Sequence, residues 1–298
     1  MTFPNDYWTS YEHRVGTLID YVEAVRRISA YQSATGSRFV WRGAANSRWG
    51  LYSSLARYFE DINGEVPATE SELRAFEQGV VDEAREWALD WHSSGGRLMA
   101  LELLAALQHY GVPTRLIDFT FNPLIALWFA VETVEDDDGP RGRVFAIDIS
   151  SRLVQREDAV RPDPWWLRIK PRADTEWTTE SWIWRPPPFE PRIVRQEGCF
   201  LMGGVPSTNP ARKAKGALLH ANEVRLCMSV PFRLIQYEQA EAAFEGRALP
   251  GHPPKARAFT IRVANKAEVR AELEQTFGFS FRSLFPDFAG LAKYGKSF

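Results

Sequence analysis

Only two of the 298 residues are cysteine, Cys199 and Cys227. Two thiols build neither a disulfide framework nor a four-thiolate metal site, and such a sparse count fits a reducing compartment. Long apolar runs are missing too; no stretch approaches the roughly 18 residues that a membrane-spanning helix requires. The opening MTFPNDYWTS has neither the basic start nor the apolar middle of a secretory leader. The expectation is a soluble, cytoplasmic protein with no membrane partner. Neither sign of charge is in excess: Lys and Arg total 36, Asp and Glu 38, for a net charge of -2. No global basic field exists to drive bulk binding to nucleic acid or anionic lipid.

Common catalytic signatures are also absent. There is no GxxxxGK[ST] phosphate loop and no GxGxxG after a strand. HExxH, the HxE with PCxxC of zinc deaminases, and GxSxG are missing as well. The histidines are His13, His92, His109, His220 and His252, none paired with another His or Cys at ligand spacing. No metal is expected.

What is present is an ordinary globular composition, 45% hydrophobic and 25% charged, with 11 tryptophans. Leu18, Tyr21, Val22, Val25 and Ile28 recur at helical spacing. SRFVWRGAA reads as a strand ending at Arg42-Gly43. Residues 53–63 predict a short helix, and 69–92 a longer one with Thr69 or Ser71 as its cap. The segment 98–108 is apolar almost all round, which predicts the most buried helix, closed by Gly111 and Pro113. RLIDF predicts a strand; Asn122 and Pro123 then open a helix over 123–133 on the same sheet. An acidic turn at 135–140 precedes the strand 143–149.

In the second half, the proline- and tryptophan-rich segments 161–172 and 184–191 predict extended or loop structure. RIVRQEGCFLM predicts a bent strand or strand pair around Gly198. Residues 223–230 and 257–263 predict further strands, and 266–277 a closing helix. The expectation is a single α+β domain over 1–298 with six to eight strands. It has an N-terminal helical segment at 1–35 and a possible insertion at 201–254.

Several polar residues fall where strands end or turn. Arg42, beside Gly43, is placed either to grip a phosphate with its planar fork or to form a structural salt bridge. Asp118 and Thr120 lie between a strand and a capped helix, where they serve either the turn or a site. Gln196 and Glu197 are expected on opposite faces of a strand. Arg115 is placed either to pair with Asp118, the favoured reading, or to bind a phosphate. Cys199 reads as a small core residue.

Four blocks together resemble the FRG domain family: VWRGAANSRWGLYSSLAR, LLAALQHYGVPTRLIDFTFNPLIALWFAVE, RIVRQEGCFLM and SLFPDFAGLAKY. Their order is similar to that of the ADP-ribosyltransferase fold. The resemblance implies a mixed sheet with flanking helices and NAD as substrate, cleaved at the nicotinamide ribose. The product would be a modified macromolecule, protein or nucleic acid, in the manner of a toxin or phage-defence effector with a cognate antitoxin. NAD glycohydrolysis is the same chemistry with water. The implied catalytic residues are Arg42, Thr120, Gln196 and Glu197; the implied NAD contacts are Arg42, Gly43, His109, Tyr110, Asp118 and Phe119. Tyr110, Phe119 or Trp128 would stack on nicotinamide. The third-motif position is Gln196, which supplies no negative charge, so Glu197 or Glu238 stands as the carboxylate. The alternative is a non-catalytic module of the same fold that recognises a nucleotide or nucleic acid.

Overall fold

A computed structural model describes residues 11–63, 69–91, 95–133, 139, 141–150, 153–169, 176–188, 190–205, 229–230, 232–249 and 257–294. Among these, the strands are β1 (Glu12–Val15), β2 (Phe39–Ala44), β3 (Ile117–Thr120), β4 (Gly142–Asp148), β5 (Ser181–Trp184), β6 (Gly198–Gly203), β7 (Arg233–Leu234) and β8 (Arg257–Val263). They form one mixed sheet in the order β1-β8-β4-β2-β3-β6-β5, with β7 also beside β8. β1 and β7 run parallel to β8, and the remaining pairs are antiparallel. The helices are α1 (Leu18–Thr35), α2 (Ser54–Ile62), α3 (Glu70–Glu86), α4 (Ala100–His109), α5 (Pro123–Ala130), α6 (Arg156–Ala159), α7 (Glu176–Thr179), α8 (Pro191–Arg195), α9 (Glu238–Phe244), α10 (Lys266–Phe277), α11 (Phe281–Leu284) and α12 (Phe288–Tyr294). The architecture is α+β, a mixed sheet with helices packed on it.

The join between β2 and β3 organises the molecule. β2 pairs with β4 along its length, from Phe39↔Asp148 to Ala44↔Arg143, and β3 with β6 from Ile117↔Leu201 to Thr120↔Gly198. Between β2 and β3 the register is Trp41↔Thr120 alone. The sheet therefore consists of two halves that share a single register pair.

β4 is buried at every position, because both of its faces are covered. Val144 and Ala146 enter one core with Trp41, Phe259 and the buried faces of α1 and α5, while Phe145 and Ile147 enter a second with Val40, Phe119 and Cys199. This is the period-two alternation of a strand buried on both sides. α1 starts at a capping box of Thr17 and Asp20 and stops at Gly36, whose φ of 70° is left-handed.

Several expectations are corrected. α5, not the helix over 98–108, is the more deeply buried: Ile125, Ala126, Leu127, Trp128 and Ala130 are all within 2% of fully buried. α5 lies on β2. α4 joins a separate cluster with Trp166, Trp184, Phe200 and Met202 beside the other half-sheet. All-round apolarity marked both helices, but it does not rank depth. The predicted bent strand of RIVRQEGCFLM is instead helix α8, opened by Pro191, followed by β6. Within 161–172, Trp165–Arg168 is a 3-10 turn that buries Trp166. Within 184–191, Trp184 ends β5 and Pro191 starts α8.

Of the segment 201–254, β7 and α9 belong to the main body: β7 pairs with β8, and Tyr237 Oη donates to Ala24 O of α1 at 3.3 Å. Residues 206–228, 231 and 250–254 lie outside the described residues, as do most of the predicted strand 223–230 and most of the acidic turn. So do residues 1–10 of the N-terminal segment, His92, His220, Cys227 and His252.

Arg115 does not pair with Asp118. It is buried and fully engaged: Nη2 donates to Glu77 Oε2 at 2.6 Å, Nε to Glu77 Oε1 at 2.5 Å, and Nη1 to Gly203 O at 3.1 Å, with Glu70 at 3.3 Å. Its guanidinium lies against Trp166 and Trp177, whose rings stack 5.0 Å apart.

Candidate ligand cavity

A cavity of about 770 Å³ opens where the two half-sheets part. Its walls come from the end of β2, the middle and end of α2, the end of α4, β3, the end of α5 and α8 with the turn into β6. Of the residues singled out from sequence, Arg42, Gly43, His109, Asp118, Phe119, Thr120 and Gln196 line it. Glu197, Tyr110 and Glu238 are not among its lining residues.

Arg42 spans the gap between the halves. Its Nη1 donates to the Asp118 carbonyl at 2.6 Å and lies 3.9 Å from that residue's carboxylate. The side chain is 25% exposed. Burial pulls the guanidinium below the ordinary arginine range, Asp118 offsets part of this, and the like charge of Arg57 adds to it. Arginine starts so high that it stays cationic. The Asp118 side chain is exposed and accepts from Gln108 Nε2 at 2.9 Å, which ties β3 to the end of α4.

Thr120 is buried, and its hydroxyl is used twice within the framework. It donates to Gln196 O at 2.7 Å and accepts from Asn122 N at 3.0 Å. It thus joins the turn after β3 to the turn before β6. Gln196 caps α8 rather than sitting on a strand, and its amide donates to Leu284 O at 2.9 Å. Glu197 also lies in this turn, in a left-handed conformation with φ of 47°. Its exposed carboxylate accepts from Asn122 Nδ2 at 2.9 Å, while Asn122 Oδ1 caps α5. The strand alternation expected for Gln196 and Glu197 fails because β6 begins at Gly198.

The aromatic expectations divide by burial. Phe119 is 4% exposed, with its ring in the core shared by Val40 and Phe145. Trp128 is fully buried, its ring 4.8 Å from that of Phe281. Tyr110 is 81% exposed beyond the end of α4. Of the three, Phe119 alone is among the lining residues, and it is almost wholly buried. The aromatic residues in the lining that had not been singled out as site residues are Trp41, Trp49, Tyr52, Phe129, Phe200 and Phe285. Glu238 opens α9, which packs against α1, and so stands apart from the cavity lining. Cys199 is buried in the core, which pushes its thiol up.

Further charged residues complete the walls. Arg57, Glu60, Glu132, Glu190 and Arg192 line the cavity and had not been singled out. Arg57 and Glu60 lie one helical turn apart on α2, and Arg57 is inside the first block that carries the family resemblance. Glu190 Oε2 is 3.2 Å from His109 Nδ1, and Arg192 holds Asp287 through two 2.8 Å bonds. Among the described residues, no cluster of three or more His, Cys, Asp or Glu side chains is arranged for a metal. No described helix is long and apolar enough to cross a membrane.

Fold and cavity together define an α+β protein with a ligand-sized chamber between two half-sheets. The FRG domain family matches residues 37–139, so the chain carries an FRG-domain match over this segment. The match supplies β2, α2 through α5, and the cavity residues Arg42, Asp118 and Thr120. The opposite wall, with Glu190, Arg192 and Gln196, follows it in sequence. No curated protein and no solved structure matches the chain.

Proposed function

We propose that the cavity binds NAD and that the protein cleaves its nicotinamide–ribose bond, passing ADP-ribose to a macromolecular acceptor or to water. The observation that carries this reading is the position of Arg42. A planar cation lines a cavity of about 770 Å³, held by a carbonyl through Nη1 and only loosely by a carboxylate. Chambers of roughly 300–1,000 Å³ with a few convergent polar groups suit cofactor-sized ligands. A guanidinium so placed suits a pyrophosphate. Trp49, Tyr52, Phe129 and Phe285 provide aromatic surface for the ligand's rings. Cleavage builds oxocarbenium character on the ribose, which a nearby carboxylate stabilises. Glu60, Asp118, Glu132 and Glu190 are the carboxylates in the lining, and they stand where Gln196 cannot serve.

One observation favours a second reading, a recognition module without turnover. The Gln196 amide is committed to Leu284 O, and Glu197 points its carboxylate to Asn122 outside the lining. Calorimetry of the full chain with NAD, followed by assay of nicotinamide release and of label transfer to protein and RNA acceptors, separates the two. Binding with release supports the first reading. Binding without release leaves recognition, and no heat with NAD, ADP-ribose or AMP overturns both.

A further inference from the structure

The end of α4 brings a histidine to the cavity wall. His109 is the last residue of that helix, and Glu190 is the N-cap residue of α8. These elements are distant in sequence, yet Nδ1 of the imidazole and Oε2 of the carboxylate are 3.2 Å apart. Their side chains are 12% and 22% exposed, and both line the cavity. The Tyr110 ring packs edge-on to the imidazole at 5.2 Å. The other charged groups facing His109 are Asp287, from the segment after α11, and Arg192 of α8, which are paired with each other.

A carboxylate at Nδ1 fixes the imidazole tautomer: Nδ1–H donates to Glu190, and the lone pair is left on Nε2. A base held by a third group on one side and open to a ligand chamber on the other is the geometry of general base catalysis. We infer that His109 is the general base of this site and Glu190 its positioning residue; this rests on the reading that the cavity takes NAD. In the step, the bond between the ribose C1′ and the nicotinamide nitrogen breaks, and its electron pair leaves with neutral nicotinamide. The oxygen of water, or of an acceptor hydroxyl, forms the new bond to C1′. Its proton passes to Nε2, Glu190 stabilises the imidazolium, and the proton then returns to solvent.

The test uses the full chain, with NAD and water as the substrates. His109→Asn keeps an N–H toward Glu190 and removes the base. It is expected to bind NAD as the native chain does while kcat for nicotinamide release falls at least about 100-fold. Glu190→Gln removes the charge that favours imidazolium. It is expected to lower kcat for nicotinamide release while leaving KM for NAD unchanged, a split that a purely structural role would not give.

If the native chain turns NAD over and His109→Asn retains its kcat and pH profile, the inference is overturned and the NAD reading stands. If NAD binds but nicotinamide is never released, the inference also fails. If NAD does not bind, the underlying reading fails first. Should His109→Asn prove unfolded in thermal melts, Glu190→Gln decides: a kcat equal to that of the native chain overturns the inference.

Discussion

Gly43 lies so close beneath α5 that a Cβ added to it would sit 2.0 Å from the Ala126 carbonyl oxygen and 2.5 Å from the Ala130 nitrogen. Gly142, on the neighbouring β4, meets the same helix, with a Cβ 1.9 Å from the Ala130 oxygen. The glycine after Arg42 is thus explained by helix-on-sheet packing. It lets α5 lie directly on β2, and so it sets the position of the cavity wall that α5 carries.

Gly43→Ala should therefore act through the fold. The backbone contacts cannot yield as a flexible side chain would, and overpacking of this kind costs about 1–3 kcal/mol or more. Gly79→Ala is the control: within α3 a Cβ there meets nothing within 4 Å. Replacing a helix-interior glycine by alanine should stabilise by about 0.5–1 kcal/mol. Denaturant unfolding of both variants checks the contrast, and equal effects would refute the packing argument.

Arg42→Lys keeps the charge but loses the planar fork, so most of the NAD affinity should go with it. Arg42→Ala should lose at least as much affinity while melting close to the native chain, since the side chain is 25% exposed. Calorimetry and thermal melts on both variants measure this. Unfolding by Arg42→Ala with rescue by Arg42→Lys would instead show that bridging β2 and β3 is what the residue does.

Arg115 makes the opposite prediction. Removing it leaves Glu77, only 1% exposed, as an uncompensated buried charge. Arg115→Ala should cost about 3–5 kcal/mol. Lysine should restore little, because it cannot span Glu77, Glu70 and Gly203 at once. A urea midpoint near the native value for Arg115→Ala would show that the network is dispensable.

Leu104 is 1% exposed in the cluster between α4 and β6. Leu104→Ala should cost about 2–5 kcal/mol, depending on how far the cluster relaxes. Chemical denaturation gives the value, and a change near zero would remove α4 from the core.

Asp287 supplies a pH test. Burial pushes its carboxyl up, but the bonds from Arg192 and Gly290 N and the charges of Arg192 and His109 outweigh this and hold it below the usual range. A folded value below the unfolded one means that the native state binds fewer protons. The contribution is complete above the unfolded value and is lost as pH falls through the folded one. Asp287→Asn should flatten the acid side of the stability–pH curve and leave its neutral side level. An unchanged acid limb would show that the Arg192 pair contributes nothing.

Local chemistry was readable where one short segment decided it. Asn122 and Pro123 begin α5 because a side-chain oxygen and a missing N–H solve the first-turn problem on the spot. Thr69 caps α3, and the predicted segments 257–263 and 266–277 are β8 and α10. RIVRQEGCFLM misled because its apolar residues fit two periodicities at once, and Pro191 with the turn at Glu197 resolved them as helix then strand. The convergence of Arg42, Asp118, Thr120 and Gln196 on one cavity followed from their placement at strand ends and turns.

Composition, charge and the four motif blocks by themselves pointed to an α+β chain that resembles the FRG domain, matched over residues 37–139, with an arginine at the end of a strand. Tertiary structure decided which polar residues reach a ligand and which are used up in holding the frame. Thr120 and Glu197 look like site residues in one dimension, but their oxygens are taken by turns that come together only on folding. Arg115, which looked like Asp118's partner, turned inward to two glutamates on α3. His109 and Glu190 carried no mutual signal, because a hydrogen bond between distant segments depends on the path of the whole sheet between them. Sequence fixes the donors and acceptors a chain owns; packing at the junction of two half-sheets decides which of them are left to face the cavity.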